Sequence, residues 1–202
     1  MLRLLLVRHG QTDWNAQHRY QGHSDLPLNQ LGLDQASQLA ARLQPQKIDL
    51  IFSSDLQRAL QTAELLAEGR GIKIQPDPRL REMNFGLLEG HTFDDGLERW
   101  PEMIRNWVQD NNQPPEGGER LDEFSKRVSQ FFTDIRQSCD GKTVLAVAHG
   151  GPLRLIMQSL LGPGSGPAWW FSLDHGSLTD FQIDDENIII NRINDSGHLK
   201  NS

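Results

Sequence analysis

Arg8, His9 and Gly10 stand where the apolar run 2–7 ends, and His149 and Gly150 stand where a second run, 143–148, ends. An imidazole is a nucleophile, a proton carrier or a metal ligand, and a guanidinium is a two-pronged donor for anions. Arg58 follows a third apolar run, 48–52, in the first turns of a helical pattern. Three strand-like runs thus bring two arginines and two histidines to one edge, which predicts a small, strongly cationic pocket. Gly10 would let the backbone turn sharply or approach a ligand closely.

Such a convergence needs strand ends lying side by side. The three runs are short and apolar, as strands covered on both faces of a mostly parallel sheet are. In open α/β sheets ligands bind at the carboxyl edge, where the loops diverge. Helical patterns separate the runs. Asn29 precedes an apolar face at Leu33, Ala36, Leu39, Ala40 and Leu43, closed by Pro45. Ser54 or Asp55 is the expected cap for a stripe at Leu56, Ala59, Leu60, Ala63, Leu66 and Ala67, with Arg58 off that stripe. Leu121, Phe124, Val128, Phe131, Phe132 and Ile135 mark another helix, and Pro152 suits the first turn of one running to Leu161. Residues 72–75 read as a short strand, and SLTDFQID and NIIINRIN read as an antiparallel hairpin around a polar turn.

The expected architecture is α/β: a three-layer α/β/α sandwich with a mixed, mainly parallel sheet, in one domain over residues 1–202. A small helical insertion at about 92–118, broken at Pro101, is expected as a lid. Trp100, Met103, Ile104, Trp107 and Val108 share one of its faces. The glycine-rich stretch 162–167 follows a helix rather than a strand, which argues against a nucleotide-binding loop.

Composition narrows the partners. A formal charge of −7 over 202 residues disfavours a nucleic-acid surface, so a basic pocket in this acidic chain points to a small anion. No apolar run reaches membrane-spanning length, and the first one ends in Arg-His; no membrane partner and a cytoplasmic location are expected. Cys139, the one cysteine, reads as a loop thiol without a role in a reducing compartment. Monomer and homodimer are both compatible with the sequence.

VRHGQT (7–12), SSDLQRALQTA (53–63), LREMNFGLLEG (80–90), PEGGE (115–119) and AHGGPLR (148–154) follow one another in this order. With them the chain resembles, nearly end to end, the histidine phosphatase superfamily of phosphoglycerate-mutase-like proteins, in particular its α-ribazole phosphatase and broad-specificity phosphatase groups. The resemblance implies that His9 is the nucleophile and is phosphorylated on its ring. It implies that Arg8, Arg58 and His149 bind the phosphoryl oxygens and that Glu82 protonates the leaving oxygen, with Glu89 as a rival acid. Asn15, Gln21, Gly22 and Gly150 are the further substrate-binding positions it suggests. A metal site built from His9, His149 and Glu82 is the other chemical reading, and the neighbouring arginines would repel a divalent cation. Neither metal nor cofactor is therefore expected.

Mutases of this superfamily carry a longer, basic insertion, whereas FGLLEGHTFDDGLERWPEM here is acidic and apolar. The resemblance thus implies a metal-independent phosphomonoesterase acting on a small phosphorylated metabolite, with α-ribazole 5'-phosphate or a broad range of monoesters as candidates. A phosphoglycerate-mutase-type transferase and a non-catalytic phosphoanion-binding protein are the alternatives. Trp100, Trp107, Trp169 and Trp170 could wall the pocket or simply pack. Arg120 stands where the family often has Ser, and His175 where a small or amide residue is common.

Overall fold

The N-terminal run becomes strand β1 (Leu2–Arg8), in which residues 4–7 are fully buried because both of its faces are covered. The computed structural model describes residues 1–162, 168–184 and 186–199. The other strands are β2 (Leu50–Ser53), β3 (Ile74–Pro76), β4 (Thr143–Ala148), β5 (Leu178–Ile183) and β6 (Ile188–Asp195). They form one sheet in the order β3-β2-β4-β1-β5-β6, so β4 and β1 are central. β1, β4, β2 and β3 run parallel to one another, and β5, antiparallel to β1, and β6, antiparallel to β5, complete the other edge. The sheet is mixed and mainly parallel, as expected.

After a short helix α1 (Asp13–Ala16), helices α2 (Gln30–Leu43) and α3 (Gln57–Ala67) cover one face, where Leu39, Leu43, Ala59, Ala63 and Leu66 meet Leu5, Val7, Leu145 and Val147. Helices α6 (Leu121–Ser138) and α7 (Gly150–Leu161) cover the other, where Phe124, Val128, Phe131, Leu153 and Ile156 meet Leu4, Leu6, Val144 and Ala146. Alternate residues of β1 and β4 thus feed opposite cores, the period of two that a strand imposes.

The insertion consists of α4 (Phe93–Arg99) and α5 (Pro101–Gln109). Thr92 and Asp95 close a capping box on α4. Pro101, at the start of α5, ends one helix and begins the next, because it lacks the N–H an interior position requires. Ile104 and Trp107 face inward onto Leu88, with Tyr20 and Phe85 packed against them. Val108 does not share that face, being 60% exposed.

Other expectations need correction. Neither Ser54 nor Asp55 caps α3; its N-cap is Leu56, and the first helical N–H, that of Gln57, is taken by Asp25 Oδ1 at 2.6 Å. β2 and β3 start later than the apolar runs do, since Ile48 and Ile72 join the core beneath α2 and α3 without entering a strand. Cys139 is no exposed loop thiol but a buried member of the α6 and α7 core, where a thiol packs as a small hydrophobe. Among the described residues no helix is long and apolar enough to cross a membrane. The stretch 163–167 and the Trp169 side chain lie outside the described residues.

Candidate active site

Because β1 and β4 are parallel neighbours paired Arg8 to Ala148, the residues that follow each strand, His9 and His149, come out side by side. The His9 N–H donates to the Ala148 carbonyl at 3.0 Å, and the two rings stand edge to face with centroids 4.9 Å apart. Gly10 is required by contact rather than by a turn: a Cβ there would lie 2.3 Å from the Gly32 carbonyl oxygen at the start of α2.

His9 Nδ1 is 2.7 Å from the Gly10 carbonyl oxygen. A carbonyl can only accept, so Nδ1 carries the proton and Nε2 keeps its lone pair. Burial, aided by Arg58, His175 and Arg8, holds His9 well below the ordinary imidazole value, which keeps that lone pair free at neutral pH. The same causes in His149, burial first and then Arg58, have the same effect.

Arg58 is 1% exposed although it lies off the apolar stripe of α3. Its guanidinium donates to the Ser24 carbonyl (2.8 Å), the Gly22 carbonyl (2.8 Å) and His149 Nδ1 (3.2 Å). Three of its five N–H donors are thereby used for position, and the others remain for an anion. His149 Nε2 in turn donates to Ser54 Oγ at 2.9 Å. Arg8 is held through the Leu173 carbonyl, and its Nε is buried without a hydrogen-bond partner among the described residues. Burial lowers both guanidinium groups to about 10, partly offset by Glu82, so both are cations at neutral pH.

The two candidate acids separate by their partners. Glu89 accepts from the N–H groups of His23, Ser24 and Phe85 and from the Ser24 hydroxyl, so it ties down the loop that carries Gly22. Glu82 accepts at one oxygen from the Met83 N–H (2.9 Å) and at the other from the Gly151 N–H (3.1 Å), and it lines the cavity beside His9. That approach exists because residue 151 is Gly: a Cβ there would lie 2.1 Å from Glu82 Oε1.

Arg8, His9, Asn15, Gln21, Gly22, Arg58, Glu82 and His149 all line one cavity of about 140 Å³. Asn15 is oriented by a capping box with Thr12, and Gln21 accepts from the Thr12 hydroxyl at 3.0 Å. Gly150 is not on the cavity wall; it opens α7 beside the Arg8 and Arg154 guanidinium groups. Of the tryptophans, Trp107 lines an adjoining cavity, Trp100 packs on His91 at the α4–α5 junction, and Trp170 is 75% exposed. His175 lies behind His9, with ring centroids 5.7 Å apart; burial and then Arg8 push it down to about 3. Arg120 is exposed and pairs with Asp122. Among the described residues no group of three or more His, Cys, Asp and Glu is arranged to hold a metal ion.

Residues that sequence reasoning missed act mostly on Glu82. Arg127 of α6 donates to the carbonyls of Arg79, Arg81 and Glu82 and is anchored by Glu119, while His23 Nε2 bonds the Glu82 carbonyl at 3.0 Å. Only the three-dimensional packing reveals them; nothing in the helical pattern sets Arg127 apart from a solvated arginine.

Residues 4–196 match the histidine phosphatase superfamily (branch 1). Phosphoserine phosphatase 1 of Hydrogenobacter thermophilus is 32% identical over 200 residues, which cover 98% of this chain and 95% of that protein. An Escherichia coli O1:K1 protein named "Probable phosphoglycerate mutase GpmB" is 41% identical over 172 residues, 84% of this chain and 78% of that one. The crystal structure of the α-ribazole phosphatase from Shigella flexneri superimposes with a TM-score of 0.88 at 32% identity, covering 96% of both chains.

Proposed function

Because the chain belongs to the histidine phosphatase superfamily, we propose that it is a metal-independent phosphomonoesterase in which His9 carries the phosphoryl group between ester and water. The observation that carries this reading is the bond from His9 Nδ1–H to the Gly10 carbonyl, which leaves Nε2 unprotonated in a cavity lined by three arginines, Arg8, Arg19 and Arg58.

In the first step the Nε2 lone pair attacks phosphorus, the ester P–O bond breaks, and Glu82 gives its proton to the departing oxygen. In the second, Glu82 takes a proton from water, whose oxygen attacks the phosphohistidine. The P–N bond breaks, the electron pair returns to Nε2, and inorganic phosphate leaves. Arg8 and Arg58 meet the negative charge on the equatorial oxygens with donors fixed before charge develops, the role a metal plays in other phosphatases. With both ring nitrogens engaged, His149 acts on the phosphate by holding Arg58.

A mutase-type transfer needs cations around a second anionic group. The adjoining cavity is largely apolar, and among the described residues Arg154 is the one cation on its wall. Hydrolysis of a small phosphorylated metabolite is therefore the reading we favour, consistent with the relatives named as phosphoserine and α-ribazole phosphatases. The test is phosphate release from an aryl phosphate in excess EDTA. Turnover by the wild type and its loss in His9→Ala support the proposal; activity that needs added metal, or that survives in His9→Ala, overturns it.

A further inference from the structure

The cavity beside His9 has a third arginine on its wall, Arg19, which the phosphoryl-transfer steps above leave unused. A constrained turn brings it there. Helix α1 opens with a capping box between Thr12 and Asn15, and soon after its end His18 takes a left-handed backbone (φ 55°) that few residues other than Gly adopt. The Arg19 N–H returns to the Trp14 carbonyl at 2.9 Å, and the backbone of Tyr20 bonds to Gly90 (2.8 Å) and His91 (3.0 Å). Residues 19–22 therefore form a fixed edge along the cavity.

The Arg19 guanidinium is only partly committed. Nε donates to Gln17 Oε1 (2.9 Å) and Nη1 to the Gly90 carbonyl (2.5 Å), while Nη2 has no hydrogen-bond partner among the described residues. Whereas Nε of Arg8 is buried, the Arg19 side chain is 37% exposed and Nη2 stays open to a ligand. Among the described residues its one carboxylate partner is Asp95 of α4, at 3.8 Å, beyond hydrogen-bond distance. The cap of α4 keeps Asp95 there, with Oδ2 accepting from the Thr92 N–H at 2.9 Å. Exposed ion pairs of this kind hold weakly, and a phosphoryl dianion offers the same guanidinium charge-assisted hydrogen bonds.

Resting on the phosphatase reading above, we propose that Arg19 is a further phosphoryl-binding residue: its free Nη2 donates to a nonbridging oxygen, and Asp95 competes for the same cation from the α4–α5 insertion. Arg8 and Arg58 are pinned by carbonyls of Leu173, Gly22 and Ser24, so Arg19 is the cation with donors open at the rim. The pull of Asp95 limits the grip on inorganic phosphate, the last species to leave.

The experiment measures kcat/KM for an aryl phosphate and competitive inhibition constants for inorganic phosphate and orthovanadate, together with thermal melts. Wild type, Arg19→Gln, Asp95→Asn and the double variant are compared. Arg19→Gln should weaken both anions and lower kcat/KM by about tenfold, the effect of losing a hydrogen bond to a charged group. Asp95→Asn keeps the oxygen that caps α4 but removes the charge, and should tighten both anions by about two- to fivefold. In the double variant that gain should vanish, because no cation is left for the carboxylate to hold. Arg19→Gln with a lowered melting temperature but wild-type inhibition constants makes Arg19 a clamp on Gly90 alone and overturns the inference. So does Asp95→Asn with unchanged inhibition constants, or with the same shift whether or not Arg19 is present. Each of these leaves the phosphatase reading standing; folded wild type that releases no phosphate overturns both.

Discussion

Arg58 donates through Nε to His149 Nδ1 at 3.2 Å, and that bond fixes the proton of the second histidine on Nε2, where Ser54 Oγ receives it. The same guanidinium holds the carbonyls of Gly22 and Ser24. Arg58 therefore ties together the loop that carries Gly22 and Ser24 and the second histidine at once.

Arg58→Lys keeps the charge but not the fork, since an ammonium cannot span three partners in a plane. Phosphate release should fall by about 10²–10³, the usual effect of removing a preorganised donor. Melting temperature should fall as well, because each buried acceptor left without a partner costs about 1–3 kcal/mol. A thermal melt alongside kcat/KM checks both.

Glu82→Gln cannot protonate a leaving oxygen. Its kcat/KM for alkyl phosphates, which reports the step in which the alcohol leaves, should drop by about 10²–10⁴ and that for nitrophenyl phosphate far less, since nitrophenolate leaves without a proton. Plotting log kcat/KM against leaving-group pKa should give a steeper slope than wild type. Glu89→Gln, which frees the loop at residues 22–24, should lower the melting temperature and leave that slope unchanged.

Gly151→Ala brings a methyl group to 2.1 Å from Glu82 Oε1 and 2.9 Å from Phe124 Cζ. The carboxylate must swing aside while the backbone of α7 keeps its helical form. A drop in kcat/KM for alkyl phosphates of tenfold or more, with the leaving-group dependence of Glu82→Gln, is expected from the same assay.

These residues differ in how far the sequence could reveal them. His9 and His149 were legible because each ends an apolar strand, and the parallel pairing of β1 with β4 does the rest. Arg58 was legible as a candidate but not as a buried hub, because its partners are carbonyls of Gly22 and Ser24, which carry no side-chain signature. The choice between Glu82 and Glu89 depends on which backbone N–H groups turn toward each. Trp107 shared its pattern with Trp100, and only the packing of α5 on Tyr20 and Phe85 separates them. The cap of α3 by Asp25 spans 32 residues of sequence, so local pattern pointed to Ser54 or Asp55 instead.

Stability should fall below neutral pH. His9, His149 and His175 are all buried with their protonation disfavoured, His175 down to about 3. In the unfolded chain each protonates near pH ~6.5, so below that pH the unfolded state binds protons that the native state refuses. Each histidine then removes up to about 1.4 kcal/mol per pH unit. Urea melts at pH 7.5 and 5.5 should show a clear loss, and His175→Asn should lessen it.

The phosphohistidine is the most direct point of test. Wild-type protein quenched during turnover of an aryl phosphate, digested and weighed by mass spectrometry should carry one phosphoryl group on the peptide containing His9, stable to alkali and lost in acid. His9→Ala should carry none and release no phosphate above background. A phosphoryl group on any other residue, or turnover by His9→Ala near the wild-type rate, would contradict His9 as the nucleophile.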